Sequence, residues 1–269
     1  MPAGSFVFAA FVLPSLSKIS RQMTDSLKHR ATVRAYSDRP VEDAMLDDLF
    51  QAAFQASNTG NMQLYSVVVT RSPEGRKALA PAHFNQPQVM SAPVVLTFCA
   101  DLNRYTQWCR QRQANPGFDN VQSLVYAGID TIIAAQTFCV AAESKGLGIC
   151  YLGTTTYNVD RIIDCLGLPP LVVPLTTVTL GWPLNPPVES ERLPLEAIVH
   201  EERYRPYSEA DIDRLHEAKE HLPANRRYVE INHKDNLAQV FTDLRYTKKD
   251  NEHFSKVFID TLRRQGFLK

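Results

Sequence analysis

The chain has 269 residues, 44% of them hydrophobic and 22% charged, with 17 prolines and 11 glycines; this composition excludes a disordered, collagenous or low-complexity protein. Lys+Arg and Asp+Glu both number 29, so the formal net charge is zero and no global field favours nucleic acid or an anionic membrane. The five cysteines (Cys99, Cys109, Cys139, Cys150, Cys165) stand too far apart for a CxxC pair, a zinc ribbon or a disulfide framework, and point to a reduced, cytosolic setting.

Phe6 to Leu13 is an apolar run without a preceding Lys or Arg and without an A-x-A-like cleavage site. It is far shorter than the ~20 residues a bilayer span needs. Residues 1–22 are expected to be an ordered arm or a non-native extension, with Met23 as the initiator. Val41 to Ala56 reads as an amphipathic helix, with Pro40 before it, Glu42 and Asp43 in its first turn, and Leu46, Leu49, Phe50 and Ala53 on one face. Tyr65 to Thr70, Val94 to Cys99 and Leu175 to Leu180 are short β-branched runs, expected as strands. Leu124 to Lys145 reads as a central helix ended by Gly146; its small residues, Asp130 and Gln136 favour a buried helix at a subunit interface over a membrane span. Val159 to Leu166 is a short helix stopped by Gly167, Pro169 and Pro170. Residues 201–269 hold 27 of the 58 charges, which leaves the core in the first 200 residues. The tail, with helical patches at Ala210 to Leu222 and Asn251 to Gln265, reads as an appended extension packed on the core. The alternation lacks a strict βαβ rhythm, so the expected class is α+β.

No GxSxG, GxxxxGK[ST], HExxH or GxGxxG occurs. His216 and His221 are five apart, which puts them on different helix faces and favours a solvated surface over a metal site. Gly146-Leu147-Gly148, with Gly153, follows a helix and reads as a C-cap leading into a loop where backbone comes close to something flat or phosphorylated. With no nucleophile or metal set visible, a cofactor is expected to carry the chemistry.

Two segments carry that expectation. Arg30-Ala31-Thr32-Val33-Arg34-Ala35-Tyr36 sets two arginines around a hydroxyl, suited to a phosphate and a second anionic centre, although a basic helix start can also be merely solvated. Ala56 to Gln63 is a polar loop of small residues able to bond a ribityl chain or a ring edge, or simply to connect a helix to a strand.

Taken in order, these segments resemble the FMN-dependent nitroreductase family. Arg30 to Tyr36 is similar to its Arg-x-Ser-Val-Arg-x-Phe signature, and Ser57 to Gln63 to its Ser-rich loop ending in Asn-x-Gln. Ala141 to Gly148 with Tyr151-Leu152-Gly153, and Leu168-Pro169 with Leu180-Gly181-Trp182-Pro183, resemble further family segments. Phe98 to Arg104, Arg192-Leu193-Pro194 and Ile198 to Glu201 resemble the NADPH-dependent nitroreductase/flavin reductase branch, which carries a C-terminal helical extension.

The resemblance implies a nitroreductase-like sheet flanked by helices in an interlocked homodimer. Its parts are an FMN-binding core over 23–207 and a helical extension over 208–269 packed on the dimer. It implies a cytoplasmic FMN-dependent NAD(P)H oxidoreductase that passes two electrons, ping-pong, from NADPH or NADH to a small aromatic acceptor such as a nitro compound, quinone or flavin. Neither nucleic acid nor membrane is implied as a partner. The same fold could instead run dehalogenation or flavin cleavage, or serve as a non-catalytic flavin sensor. By position, Arg30, Thr32 and Arg192 would hold the FMN phosphate, with Ala31 contributing backbone, and Arg34 would lie at the pyrimidine edge. Gln86 would meet the same edge, and Tyr151, Leu152, Gly153 and Thr154 would cover one ring face. Asn58, Thr59, Gly60, Asn61 and Gln63 would approach from the partner subunit. Three positions depart from the pattern: Ser190 where a lysine is usual, Ala31 where a basic residue is common, and Asn58-Thr59-Gly60 in place of a serine run. Arg226 and Arg227 are candidates for a nucleotide 2′-phosphate, against a solvated pair in a charged tail.

Overall fold

A computed structural model describes residues 27–269; the expectations for residues 1–22 and Met23 lie outside them. The chain forms helices α1 (Asp43–Ala53), α2 (Pro73–Leu79), α3 (Pro87–Ser91), α4 (Asn103–Gln111), α5 (Val121–Ser144) and α6 (Val159–Leu166). Between them run strands β1 (Tyr65–Thr70), β2 (Val94–Asp101), β3 (Gly148–Leu152) and β4 (Val172–Gly181). The strands make one sheet in the order β1-β2-β4-β3, every pair antiparallel.

Strands β2 and β4 are nearly continuous apolar or Thr-rich runs because the sheet is covered on both faces. Alternation along β2 divides the core. Val94, Leu96 and Phe98 face one layer with Leu46 and Leu49 of α1 and Phe138 and Ala142 of α5. Val95 faces the other, with Val33, Tyr36, Leu79, Val89, Cys150, Leu152 and Ile162. Helix α5 starts where the Asn120 side chain accepts from the Ser123 N–H, and ends at Lys145 before Gly146, whose φ of +83° closes the turn. It is long and apolar enough to cross a membrane by composition, yet its buried side, from Leu124 to Ala142, packs on the sheet and α1.

The glycine-rich stretch read as a loop is a two-residue turn, with Leu147 alone between it and β3. Gly148 opens that strand directly opposite Gly181 of β4. A Cβ on Gly148 would lie 2.5 Å from Val33 Cγ2, and one on Gly181 would lie 2.6 Å from Pro93 Cδ and 2.9 Å from Tyr36 Cδ1. The paired glycines therefore let segment 33–37 lie close against the sheet. There the Val33 N–H donates to Ile149 O (2.9 Å), the Ser37 N–H to Trp182 O (2.9 Å) and the Leu184 N–H to Ala35 O (3.0 Å). The buried Tyr36 hydroxyl lies 2.8 Å from Val33 O and 2.7 Å from Thr179 Oγ1, fixing the segment from beneath.

The chain divides into two compact units: one reaches Glu189 and takes up Phe258–Lys269, and the other spans Ser190–Val257. The second unit is helical, with α7 (Glu209–Glu220), α8 (Pro223–Ile231) and α9 (Leu237–Val240), and its boundary falls ahead of residue 208. Helix α7 opens with a capping box between Ser208 and Asp211. Helix α10 (Lys248–Arg264) returns the chain to the first unit, where the Leu171 N–H donates to Gln265 O (3.0 Å) and Phe267 is buried.

Candidate functional site

Within the first unit the expected site residues fall into two groups. The first is built on segment 30–36, β3 and the turns beside them. Arg30 is half-buried and paired in fork fashion with Glu143 of α5, its Nη2 3.0 Å from Oε1 and its Nε 3.3 Å from Oε2. A cavity of about 250 Å³ opens here, lined among others by Arg30, Ala31, Val33, Glu143, Gly146 and Gly148. Arg34 is exposed; burial pushes the Cys150 thiol up, with the Arg34 guanidinium opposing. Val33 and Ala31, on either side of half-buried Thr32, are buried, so the segment alternates anchors with available side chains.

After β3 the chain turns through Gly153 and Thr154. The Tyr151 hydroxyl donates to Gln136 Oε1 (3.2 Å) and Leu152 is buried. A Cβ built on Gly153 would meet nothing within 4 Å, leaving its backbone open to a flat group. Thr154 Oγ1 lies 2.8 Å from His83 Nδ1. Gln86 caps α3, accepts at Oε1 from Gln88 Nε2 (3.1 Å), and donates its N–H to His83 O (3.1 Å). Arg30 to Arg34 thus lie beside the first residues of β3 and Gly153–Thr154 follow its last, with Val33, Tyr36, Cys150 and Leu152 of these segments buried in one core layer and Tyr151 packed against the other.

The second group is the loop Asn58–Gln63. Gly60, Asn61 and Gln63 have φ of +56°, +54° and +51°, a backbone that Gly accepts freely and other residues hold only under constraint. The constraint is Asp130 of α5, buried to 2% exposure. It accepts the Thr59 N–H at 2.9 and 3.0 Å and the Thr59 hydroxyl at 3.0 Å. Asn58 Oδ1 accepts the Gln63 N–H (3.2 Å), and Arg104 donates to Gln63 O. The polar interruption noted in the central helix is therefore the anchor of the polar loop. Asp130→Ala is expected to cost about 2–3 kcal/mol, since it strands two Thr59 donors, with Asp130→Asn recovering part of that in chemical denaturation.

The two groups do not meet in one chain. Their anchors, Asp130 and Glu143, stand thirteen positions apart on α5, roughly 20 Å at 1.5 Å per residue. On the same helix Val125, Ile129, Ile132 and Ile133 are exposed.

The remaining candidates lie in the second unit. Arg192 is exposed and donates to Ser190 O (3.1 Å) and Glu191 O (2.8 Å). Arg226 and Arg227 are exposed on α8, and Arg226 lines a cleft with Glu220, His221 and Asp235. His216 and His221 bond backbone carbonyls one turn back, and no group of metal-ligating side chains occurs among the described residues. Burial pushes the Cys99 and Cys139 thiols up to about 12, far from the range of a thiolate nucleophile. Sequence reasoning missed Glu143, read only as part of a motif, and His83, which no local pattern marks.

Residues 27–182 match the Nitroreductase family. The oxygen-insensitive NADPH nitroreductase of Salmonella typhimurium is 35% identical over 70% of this chain and 77% of its own. The FMN reductase (NADPH) of Bacillus subtilis is 33% identical over 66% and 72%. Among solved structures, an oxidoreductase from Bacteroides fragilis superposes with a TM-score of 0.90 at 54% identity, covering 91% of this chain and all of that one. The NADPH:FMN oxidoreductase from Vibrio harveyi gives 0.75 at 25% identity over 92% and 99%. By the extent of the family match and the identity of these relatives, the chain belongs to the nitroreductase family.

Proposed function

We propose that the chain is an FMN-dependent NAD(P)H oxidoreductase of the nitroreductase/flavin reductase type. It acts as a cytosolic homodimer with two sites, each drawing on both copies. The observation that carries this reading is the pair of half-sites anchored ~20 Å apart on α5, together with the exposed apolar residues Val125, Ile129, Ile132 and Ile133 of the same helix. A second copy packed on that face brings the loop of one chain to the arginines of the other. The donor set suits FMN: guanidinium and hydroxyl groups for a phosphate, an amide and a cation for the polar ring edge, and an open glycine backbone for the ring face.

When bound, FMN supplies two-electron transfer from a nicotinamide to an acceptor. The chain supplies position and charge. Arg30 and Thr32, with the Ala31 backbone, would hold the phosphate. Arg34 and Gln86 hold the pyrimidine edge, Tyr151–Thr154 line one face, and Asn58–Gln63 of the second copy close the other side. No side chain needs to shuttle protons as a dyad, in keeping with thiols and phenols that burial holds protonated. Acceptors of this site are flat and aromatic: nitro compounds, quinones or free flavins.

The test is an absorbance spectrum of the purified protein, followed by anaerobic NADPH or NADH. An oxidised-flavin band that bleaches within mixing, faster with one nucleotide, is the expected result and identifies the donor. A bound flavin that does not bleach would turn the reading to other chemistry or to sensing, and a protein that cannot be loaded with FMN would sink it. Arg34→Ala is expected to lower the flavin midpoint potential by roughly 30–65 mV while FMN still binds; that is the two-electron equivalent of losing a charged bond worth about 1.5–3 kcal/mol. Redox titration against a dye standard reads it directly.

A further inference from the structure

His83 is wholly buried, in a turn followed by two non-glycine residues in left-handed backbone, Phe84 (φ +54°) and Asn85 (φ +53°). Such a pair costs energy and persists only when its surroundings over-determine it. The surroundings are specific. His83 Nδ1 lies 2.8 Å from Thr154 Oγ1, and Asn158 Nδ2 donates to Ala82 O at 2.9 Å, so two bonds stitch the turn at 80–83 to the segment 154–158. The His83 carbonyl accepts the Gln86 N–H (3.1 Å), and the Asn85 N–H donates back to Ala80 O (2.9 Å). Beyond this strained turn, exposed Phe84 lies edge-on to Tyr157. The second imidazole nitrogen, Nε2, is buried and has no hydrogen-bond partner among the described residues, so among them the ring is held by its bond to Thr154.

We propose that His83 is a positioning residue which clamps the Phe84–Gln86 turn to the Gly153–Thr154 turn, making one rigid wall of the flavin half-site. This rests on the FMN reading above, since Gln86, Gly153 and Thr154 are the groups it aligns. Through Thr154 the imidazole sets how closely the open Gly153 backbone meets the ring, and through its own carbonyl it sets the Gln86 amide at the ring edge. Neither loop can move alone while the bond persists.

The test is a double-mutant cycle on the full chain loaded with FMN, using His83→Phe and Thr154→Val. The latter is nearly isosteric and removes only the hydroxyl. Each single variant is expected to weaken FMN binding about tenfold and to shift the long-wavelength flavin band. The double variant should be no weaker than the worse single one, and His83→Asn, which keeps a polar group toward Thr154, should recover most of the loss. Effects that multiply in the double variant, or single variants with unaltered affinity and spectrum, would overturn the clamp. Should His83→Phe fail to fold, Thr154→Val and His83→Asn still decide it: wild-type affinity and spectrum in Thr154→Val overturn the proposal. A wild-type protein that takes up no FMN would instead fail the functional reading itself, a result read before any variant is made.

Discussion

Gly148→Ala is expected to destabilise the protein by about 3 kcal/mol and to weaken FMN binding with it. The added methyl would sit 2.5, 2.6 and 2.8 Å from Val33 Cγ2, Cβ and Cγ1, closer than carbon atoms approach without displacement. Val33 cannot swing away, because it is buried and its N–H is bonded to Ile149 O next to the mutated residue. The backbone of 33–37 must therefore lift, and Arg34 sits on that segment. Val33→Ala should not rescue the variant, since its Cβ remains 2.6 Å away. Gly117→Ala, where a methyl meets nothing within 4 Å, is the neutral comparison. Chemical denaturation with and without FMN measures both effects; a Gly148→Ala protein as stable as Gly117→Ala would contradict the packing described.

The second large effect is on acid stability. Burial pushes the His83 imidazole down to about 4, against 6.5 for the free side chain. The unfolded chain therefore takes up a proton at this residue in a range where the folded chain does not. Its contribution to stability is complete above about pH 6.5, falls as pH drops, and is exhausted near pH 4, a total of roughly 3 kcal/mol. Carboxylates such as Asp211 and Asp243, held low by hydrogen bonds from Ser208 and Lys234, add losses of the same sign at lower pH. Comparing denaturation of the wild type with His83→Asn at pH 7 and pH 4.5 isolates the histidine. The wild type should lose more between the two, and equal losses would show that the imidazole titrates normally.

Much of this fold was legible in the sequence because its signals are local. Gly146 and Gly167 stop α5 and α6, and the β-branched runs of β1, β2 and β4 read as strands without help from the rest of the chain. Strand β3 was not legible. Its first residue is a glycine, which locally argues for a loop, and the reason for that glycine is Val33, more than a hundred positions earlier. The site divides in the same way. Arg30, Arg34 and Asn58–Gln63 stand out by residue type and spacing, whereas His83 acquires its role from Thr154, 71 positions away. Asp130 was visible as a charge inside an apolar stretch, but only the fold brings the Thr59 donors to it.

The spacing of Asp130 and Glu143 along one helix has a consequence for mixtures of damaged chains. If each site takes its loop from one copy and its arginines from the other, a homodimer lacking Asp130 has two spoiled loops, and one lacking Arg34 has two spoiled clefts. A dimer with one chain of each kind collects both lesions in a single site and leaves the other whole. Refolded together in equal amounts, two impaired proteins would then show the native flavin potential at about a quarter of their sites by random pairing alone.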